Sequence, residues 1–212
     1  MTRFDLNCTR CARLSAFLAE LRQLHPGYWN RPVPAFGDEL PRLLIVGLAP
    51  GRHGANASGR PFTGDFAGLL LYRTLHELGL ASAAESAHAG DDLELLGCRI
   101  TNAVKCLPPQ NKPTTAEVNT CNRYLVAELA ALPSGAAILA LGTVAHGAVL
   151  KALRLRPADH PFSHGAQHAL ADGRWLVDSY HCSRYNTQTG RLTERMFYDA
   201  VCVAKTLAFS AI

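Results

Sequence analysis

The sequence predicts an α/β fold, a three-layer α/β/α sandwich around a central four-stranded parallel sheet. Short apolar runs, four in number, alternate along the chain with four stretches of helical periodicity. Strands joined through helices pair in parallel, with helices on both faces of the sheet. With 212 residues, of which 48% are hydrophobic, the chain can bury one sizeable core. We therefore predict a single domain over residues 1–212.

The predicted elements follow one another in a regular order. A helix over about residues 10–24 precedes a proline-rich segment, 26–41. The strand and helix pairs are 43–48 with 65–78, 99–104 with 115–132, 136–141 with 143–153, and 174–180 with 193–209, where Thr193 is the predicted N-cap. Segment 81–92 is predicted to be a surface insertion. Segment 156–173 is predicted to be a long loop, with a hairpin as an alternative.

Charge and composition restrict the class of protein only loosely. The net charge of +4 is too small to require a polyanionic partner. Several basic residues nevertheless fall in or beside loops at one predicted edge of the sheet, where a phosphate backbone could lie: Arg52, His53, Arg60, Lys105, Lys112, Arg184 and Arg191. The alternative is that these are ordinary surface residues, because the solvated loops of any protein carry Arg and Lys. No signal peptide or bilayer-spanning run is visible, so we expect a soluble cytoplasmic protein with no membrane partner.

Two loops are predicted to form one site. The first follows strand 43–48 and contains five glycines between Gly47 and Gly64, a density that lets backbone N–H groups approach an anionic ligand. The second, 181–186, follows strand 174–180. Both leave the carboxyl edge of a parallel sheet, where α/β folds bind ligands. The glycine spacing matches neither a P-loop nor the dinucleotide-binding fingerprint.

The seven cysteines indicate ligands or buried thiols in a reducing compartment. Cys8 and Cys11 form a C-x2-C pair, and Cys106 lies 15 positions before Cys121. Four thiolates can hold zinc or a [4Fe–4S] cluster, and spacing alone leaves both open, although the wide second pair counts modestly against a zinc ribbon. The remaining cysteines have no comparable partner; we predict that Cys98 and Cys202 are core thiols.

Histidines offer a second source of chemistry. His181 follows the last predicted strand, where its ring could act as a donor or a titrating base. His160, His164 and His168 recur every four residues, like ligands on one helix face. Pro161 and Gly165 interrupt such a helix, so this spacing does not predict a metal site.

The motifs taken together resemble a known family. They are GLAPGRHGANASGRPFTGD, the strand ITNAVKC followed by LPPQNKP, the motif HCSRYNTQTGRLT, and the four cysteines above. This combination is similar to that of the iron–sulfur uracil-DNA glycosylases, and most similar to family 5, because family 4 carries Glu at the position of Leu48. The resemblance extends from Cys8 to the last helix and implies the uracil-DNA glycosylase fold.

The resemblance also implies an activity and a set of site residues. Members flip uracil, and some flip other deaminated bases, out of double- or single-stranded DNA and hydrolyse the N-glycosidic bond, which leaves an abasic site for base excision repair. Catalytic roles are implied for Asp65, His181 and Asn102. Base contacts are implied for Gly47, Ala49, Phe62, Asn102 and His181, and DNA contacts for Gly51, Arg52, His53, Ser183, Arg184 and Asn186. Cys8, Cys11, Cys106 and Cys121 would hold a structural [4Fe–4S] cluster, and we expect a monomer.

The chain departs from the family pattern at two positions. Cys182 replaces a common Pro, which loosens the loop and places a thiol near the site, and Gly51 replaces a common Ala. Two alternatives to a glycosylase remain. A non-catalytic nucleic-acid-binding module would not need the carboxylate of Asp65, and a relative that crosslinks to abasic DNA would carry a basic insertion that is not seen before His181.

Overall fold

The computed structural model describes residues 4–210, in which six strands and seven α-helices follow one another. In chain order they are α1 (Ala12–Leu24), β1 (Phe36–Gly37), β2 (Leu43–Gly47), α2 (Ala55–Ser58), α3 (Phe66–Glu77), β3 (Cys98–Asn102), α4 (Thr115–Ala130), β4 (Ala137–Leu141), α5 (Thr143–Leu153), β5 (Gln167–Ala169), β6 (Trp175–Ser179), α6 (Arg184–Gln188) and α7 (Glu194–Phe209). Single 3₁₀ turns occupy Pro109–Asn111 and Pro157–Asp159.

The sheet has the order β1-β3-β2-β4-β6-β5. Its four central strands are parallel, as predicted, and Leu43 of β2 lies between Cys98 of β3 and Ala137 of β4. Two short antiparallel strands extend it at the edges. β5 and β6 form the hairpin that was the alternative for segment 156–173, whereas β1 was not predicted. With two and three residues, these edge strands are too short to show a periodic pattern.

Helices cover both faces of the sheet, which confirms the three-layer arrangement. Side chains of α3 and α7, such as Leu71 and Phe197, pack on one face, and side chains of α4 and α5, such as Leu125 and Val149, pack on the other. The residues of β2 and β4 are all buried, because each face of these strands meets a helix layer. α1 lies apart and packs against the segment after β3.

Capping residues set the helix starts. Thr193 accepts a hydrogen bond from the Met196 backbone N–H at 3.1 Å, which confirms the predicted N-cap. Thr114 and Glu117 form a capping box at the start of α4, and Arg13 of α1 reaches the same Glu117 carboxylate at 2.7 Å. This contact joins the N-terminal helix to the layer behind the sheet. The predicted helices at 10–24, 65–78 and 115–132 are one or two residues shorter than expected at their ends.

The carboxyl ends of the parallel strands meet at one edge. Gly47, Asn102, Leu141 and Ser179 are the last residues of β2, β3, β4 and β6. The loops that follow them therefore converge, as the sequence predicts. None of the helices between residues 4 and 210 is both long and apolar enough to cross a bilayer.

Candidate active site

A cavity of about 420 Å³ opens at this edge of the sheet. Loops that follow all four parallel strands contribute to its wall. The predicted site residues that line it are Ala49, Gly51, Phe62, Asp65, Asn102, His181, Ser183 and Asn186. The structure thus brings together the two loops and the end of β3, as the sequence analysis expects.

Phe62 forms one wall of the cavity and is held in an unusual backbone conformation. Its φ is 56°, in the left-handed region, and its ring is buried. The ring lies nearly parallel to that of His181, with centroids 5.8 Å apart. A Cβ on Gly47 would come within 2.7 Å of the Phe62 ring and 2.5 Å of the Asn102 Oδ1 atom. Gly47 therefore leaves the room that both side chains occupy.

Two buried polar atoms of the cavity have no hydrogen-bond partner within the protein. They are Oδ1 of Asn102 and Nδ1 of His181. Nearly all buried polar atoms in folded proteins are paired, so unpaired ones need an explanation. Burial also lowers the pKa of His181 to about 4. At neutral pH the ring is therefore uncharged and has one N–H to donate.

Asp65 both caps a helix and lines the cavity. It is the N-cap of α3, and its Oδ1 accepts a hydrogen bond from the Gly68 N–H at 2.9 Å. Its other oxygen, Oδ2, faces Gly51 and Gly54; a Cβ on Gly54 would lie 2.6 Å from it. Burial raises the pKa of Asp65, and hydrogen bonds from the Gly68 and Ala67 backbones oppose that shift. The cap fixes the side chain while one oxygen stays available to the cavity.

The second loop is ordered by short-range hydrogen bonds. Ser183 caps α6 by accepting from the Asn186 backbone N–H, and the Asn186 side-chain amide donates to the His181 carbonyl at 2.8 Å. The guanidinium of Arg184 lies over the Phe66 ring at 5.1 Å. These contacts fix the backbone from His181 to Asn186. Tyr185, which lies between Arg184 and Asn186 in the sequence, keeps 72% of its surface exposed.

The predicted DNA contacts of the first loop lie at the surface. Arg52 and His53 are exposed, and Gly51 lines the cavity mouth. Arg52 lies over the ring of Phe17 at 5.6 Å, and His53 Nδ1 is 3.0 Å from the Tyr28 hydroxyl. Both side chains therefore remain accessible beside the cavity.

Two of the basic residues assigned to this edge are not available to a phosphate, which corrects the sequence analysis. Arg60 is buried and pairs with Asp91, and it donates to the Ala89 carbonyl at 2.8 Å. Lys105 is also buried, with its Nζ 2.8 Å from Glu128. Each cation is neutralised by a carboxylate that is distant in sequence.

Other lining residues were not predicted. Asn111 lies in the cavity wall with a φ of 56°, directly after Gln110, which has the same φ. The segment LPPQNKP pointed to this loop without singling out Asn111. Phe162 and Tyr180 also line the cavity. Arg191, one of the basic residues that the sequence places at this edge, lines it as well and stacks its guanidinium on the Tyr180 ring at 4.5 Å. No motif marked Phe162 because it lies in the irregular 156–173 segment.

The four predicted ligand cysteines lie around a second, small enclosed cavity. Lys105 donates its backbone N–H to the Cys121 sulfur at 3.3 Å. Burial raises the pKa of Cys121 to about 11, and burial together with the neighbouring sulfurs raises that of Cys106. The donors are soft thiols without a carboxylate or imidazole among them, which suits zinc or iron–sulfur chemistry.

The sulfurs of these four cysteines are spaced more widely than the ligands of a single ion. A single zinc ion with bonds of about 2.3 Å would bring its ligating sulfurs to about 3.8 Å from one another. Among residues 4–210, only His146, His168 and Asp178 bring three ligand atoms within 4.8 Å, so no three of these sulfurs lie that close. The arrangement fits a group larger than one ion, because each sulfur of a cluster binds a different iron.

The other three cysteines have packing roles. Cys98 is buried and its sulfur donates to the Leu80 carbonyl at 3.3 Å, as expected of a core thiol. Cys202 is half-buried and packs against the same core. Cys182 is fully buried; burial and the nearby Asp65 carboxylate raise the pKa of this thiol. It stays a neutral thiol beneath the loop and does not open into the site.

Comparisons with known proteins agree with this architecture. The family model of the uracil DNA glycosylase superfamily matches residues 34–205. A type-5 uracil-DNA glycosylase of Thermus thermophilus is 50% identical over 206 residues, which are 95% of this chain and 94% of that protein. One of Mycobacterium leprae is 44% identical over 209 residues, 95% and 91% of the two chains.

A solved structure is similar in fold alone. The crystal structure of wild-type Pedobacter heparinus SMUG2 superposes with a TM-score of 0.51 at 16% identity, over 91% of this chain and 82% of the other. The family match, the identity along nearly the whole length and the shared fold confirm the resemblance carried by the motifs. This chain belongs to the uracil-DNA glycosylase superfamily and, within it, to the type-5 enzymes.

Proposed function

We propose that this chain is a uracil-DNA glycosylase that flips uracil out of DNA and hydrolyses its N-glycosidic bond, which leaves an abasic site for base excision repair. One observation carries the proposal. A cavity at the loop edge holds two buried, unpartnered polar atoms, on Asn102 and His181, beside the ring of Phe62. A flipped pyrimidine has the polar edge and the flat face that these groups require.

Base recognition follows from the donor and acceptor pattern of uracil. The Asn102 amide accepts from uracil N3–H through Oδ1 and donates to O4 through its NH2 group. Cytosine presents the reverse pattern, an acceptor at N3 and a donor at N4, and would leave the buried Oδ1 unpaired. Phe62 stacks on the base, and Gly47 and Ala49 complete the pocket. Asn102 thereby selects uracil against the normal base from which it arises.

Bond cleavage develops opposite charges on the two products. The departing uracil becomes an anion, and the sugar becomes oxocarbenium-like. Burial lowers the pKa of His181 to about 4, so its ring is uncharged at neutral pH. The neutral ring donates its N–H to uracil O2, where negative charge develops. The carboxylate of Asp65 supplies negative charge on the sugar side, where it stabilises the cation or orients the attacking water.

The two loops hold the DNA on either side of the cavity. Gly51, Arg52 and His53 contact the backbone from the first loop, and Ser183, Arg184 and Asn186 do so from the second. Tyr185 enters the space that the flipped base vacates, because it is an exposed aromatic side chain at the rim. We propose that the enzyme acts as a cytoplasmic monomer on double- and single-stranded DNA.

Cys8, Cys11, Cys106 and Cys121 would hold a [4Fe–4S] cluster with a structural role. When bound, the cluster supplies four covalent links between the N-terminal segment, the segment after β3 and α4. The donor set and the wide spread of the sulfurs support this assignment over a single zinc ion. Freshly purified protein should be yellow-brown and contain about four iron atoms. Colourless protein with one zinc at the cysteines would contradict the assignment.

The function is tested by a glycosylase assay under enzyme excess. Duplexes carrying uracil, hypoxanthine, xanthine, a G·T mismatch or only normal bases are incubated with protein and then treated with alkali, which cleaves at abasic sites. Strand cleavage at uracil, absent with normal bases, is the expected result. Binding without cleavage would favour the non-catalytic module, and a covalent protein–DNA band on a denaturing gel would favour the crosslinking relative.

A further inference from the structure

A second cluster of titratable side chains lies behind the wall of the active-site cavity. His146 of α5, His168 of β5 and Asp178 of β6 have ligand atoms within 4.8 Å of one another. Asp178 is fully buried, His146 is 5% exposed, and the His168 side chain is 13% exposed. The mechanism above uses none of them. The sequence analysis considered His168 only with His160 and His164, as members of a helix that does not form.

Both ring nitrogens of His146 lie close to oxygen atoms. Its Nε2 lies 3.0 Å from the His160 carbonyl, which can only accept, so this nitrogen carries a proton. Its Nδ1 lies 2.7 Å from Oδ1 of Asp178. A neutral imidazole has only one N–H, so with Nε2 as the donor the lone pair of Nδ1 points toward the carboxylate. A cation between these two atoms would bind both of them.

The contacts of His146 resemble those of a histidine that binds a metal. Histidines that bind metals donate their second ring N–H to a carbonyl or carboxylate, which fixes the lone pair on the metal side. The His160 carbonyl does this for His146. Nε2 of His168 lies 3.4 Å from the second oxygen of Asp178, so both carboxylate oxygens face imidazole nitrogens. Within residues 4–210 the carboxylate has no hydrogen-bond partners other than these two rings.

We propose that His146, His168 and Asp178 form a zinc site, in which Zn²⁺ binds Nδ1 of His146, Nε2 of His168 and the carboxylate of Asp178. Two imidazoles and one carboxylate are a zinc ligand set, and zinc with bonds of about 2.0–2.1 Å would hold its nitrogen and oxygen ligands about 3.3 Å apart. The two N···O distances here are 2.7 and 3.4 Å, so small side-chain shifts accommodate the ion. His160 is a candidate for the fourth position, because its Nδ1 is engaged by the Arg156 carbonyl and its ring lies 5.5 Å from that of His168.

The site would stabilise the cavity wall that segment 156–166 forms. Phe162, which lines the cavity, packs its ring against that of His146 at 5.5 Å. His164 accepts a hydrogen bond from the backbone N–H of Tyr180, a second wall residue, at 3.1 Å. This segment has no regular structure beyond one 3₁₀ turn. A metal that joins α5, β5 and β6 would fix the segment from behind.

The test is zinc binding by the intact protein, with the cysteine-bound group in place. Protein is dialysed against EDTA, titrated with Zn²⁺ in competition with a chromophoric chelator, and examined by zinc X-ray absorption. We expect one zinc per chain with only nitrogen and oxygen neighbours near 2.0–2.1 Å, and no sulfur at about 2.3 Å. We also expect the unfolding temperature to rise with Zn²⁺.

Variants assign the binding to these residues. His168→Gln, at the most exposed ligand, and Asp178→Asn should each weaken zinc binding at least tenfold, since removal even of an outer partner costs roughly 10- to 100-fold. His88→Gln, in a distant surface loop, is the matched control and should bind as the unchanged protein does. A spectrum with sulfur neighbours, equal binding by His168→Gln, or no zinc bound would overturn the proposal.

Discussion

The loop between β2 and α3 faces two polar regions, and they differ in how completely their groups are paired. On the cavity side, Asn102 and His181 each leave a buried atom without a partner. On the opposite side, the Arg60 guanidinium contacts Asp91, Ser86 and the Ala89 carbonyl, and it lies 4.3 Å from the centre of the Phe36 ring. The fully paired guanidinium of Arg60 holds the loop in place, whereas the unpaired atoms of Asn102 and His181 can bind a ligand.

This difference separates residues that act on the substrate from residues that act on the fold. Substitution on the cavity side should lower the rate of cleavage and leave stability nearly intact. Substitution on the Arg60 side should do the opposite. Asp65 lies at the boundary, because one of its oxygens caps α3 and the other lies at the cavity.

The largest effect is expected for Asp65→Asn. Asparagine keeps the size of the side chain and caps helices as well as aspartate does, so the fold should be maintained. It removes the negative charge that faces the sugar cation, and single-turnover cleavage of uracil should fall by about two to three orders of magnitude. The measurement is single-turnover cleavage of uracil duplex under enzyme excess, with DNA binding measured in parallel. A rate close to that of the unchanged enzyme would show that the carboxylate charge is not used.

Arg60→Met tests the other side of the loop. The substitution leaves Asp91 partly buried without its cation, and loss of one partner of a buried ion pair costs about 3–5 kcal/mol. Because Asp91 is 19% exposed, we expect about 3 kcal/mol, measured by urea unfolding. At a temperature where the variant is folded, its single-turnover rate should stay within a few-fold of the unchanged enzyme.

An exposed pair offers the matched control for Arg60. Arg73 and Glu194 form an ion pair with both side chains largely in solvent. Arg73→Met should change the free energy of unfolding by less than about 1 kcal/mol. If Arg60→Met were as mild as Arg73→Met, or if it lowered the cleavage rate as strongly as Asp65→Asn, the contrast between the two sides of the loop would fail.

Burial of His181 makes the stability of the folded protein depend on pH. Its pKa is about 4 in the folded protein, below its ordinary value of 6.5, so between these values the unfolded chain binds more protons than the folded one. Stability is therefore complete above pH 6.5 and falls as the pH is lowered toward 4, by up to about 3 kcal/mol. His181→Gln lacks this titration.

The check is the difference in unfolding free energy between the unchanged protein and His181→Gln from pH 7 to pH 4.5. As the pH falls, the unfolding free energy of the unchanged protein should decrease relative to that of His181→Gln. The other titrating groups are the same in both proteins and cancel in the difference. Cleavage by the unchanged enzyme should show no step near pH 6.5, because His181 is already uncharged there. A constant difference across this range would show that His181 is not buried in the way the structure describes.

The sequence was sufficient to predict the parts of this molecule that depend on local pattern. Strands buried on both faces are continuous apolar runs, so the four parallel strands and the convergence of their loops could be predicted. The first and second loops carried Asp65, Phe62 and His181 as recognisable motifs, and the structure places all three at one cavity.

Features that depend on distant pairing could not be predicted in the same way. Arg60 and Asp91 lie 31 positions apart and Lys105 and Glu128 lie 23 apart, so nothing local shows that these cations are neutralised. The His146 cluster draws on three separate elements for the same reason. Left-handed Asn111 does not follow from residue type, because asparagine visits that region only where its surroundings fix it.

The smallest effect separates the cavity rim from its interior. Arg184 is exposed, its guanidinium lies over the Phe66 ring, and it forms no ion pair within residues 4–210. If it touches a phosphate, Arg184→Gln should reduce the slope of log K against log salt by about one unit for undamaged duplex. Cleavage at saturating enzyme should change little, because a phosphate contact binds ground state and transition state alike. Arg99→Gln, at the amino end of β3 and therefore at the edge of the sheet opposite the cavity, is the control and should leave the slope unchanged. An unaltered slope for Arg184→Gln with a reduced rate would move Arg184 from the DNA backbone to the stabilisation of the flipped nucleotide.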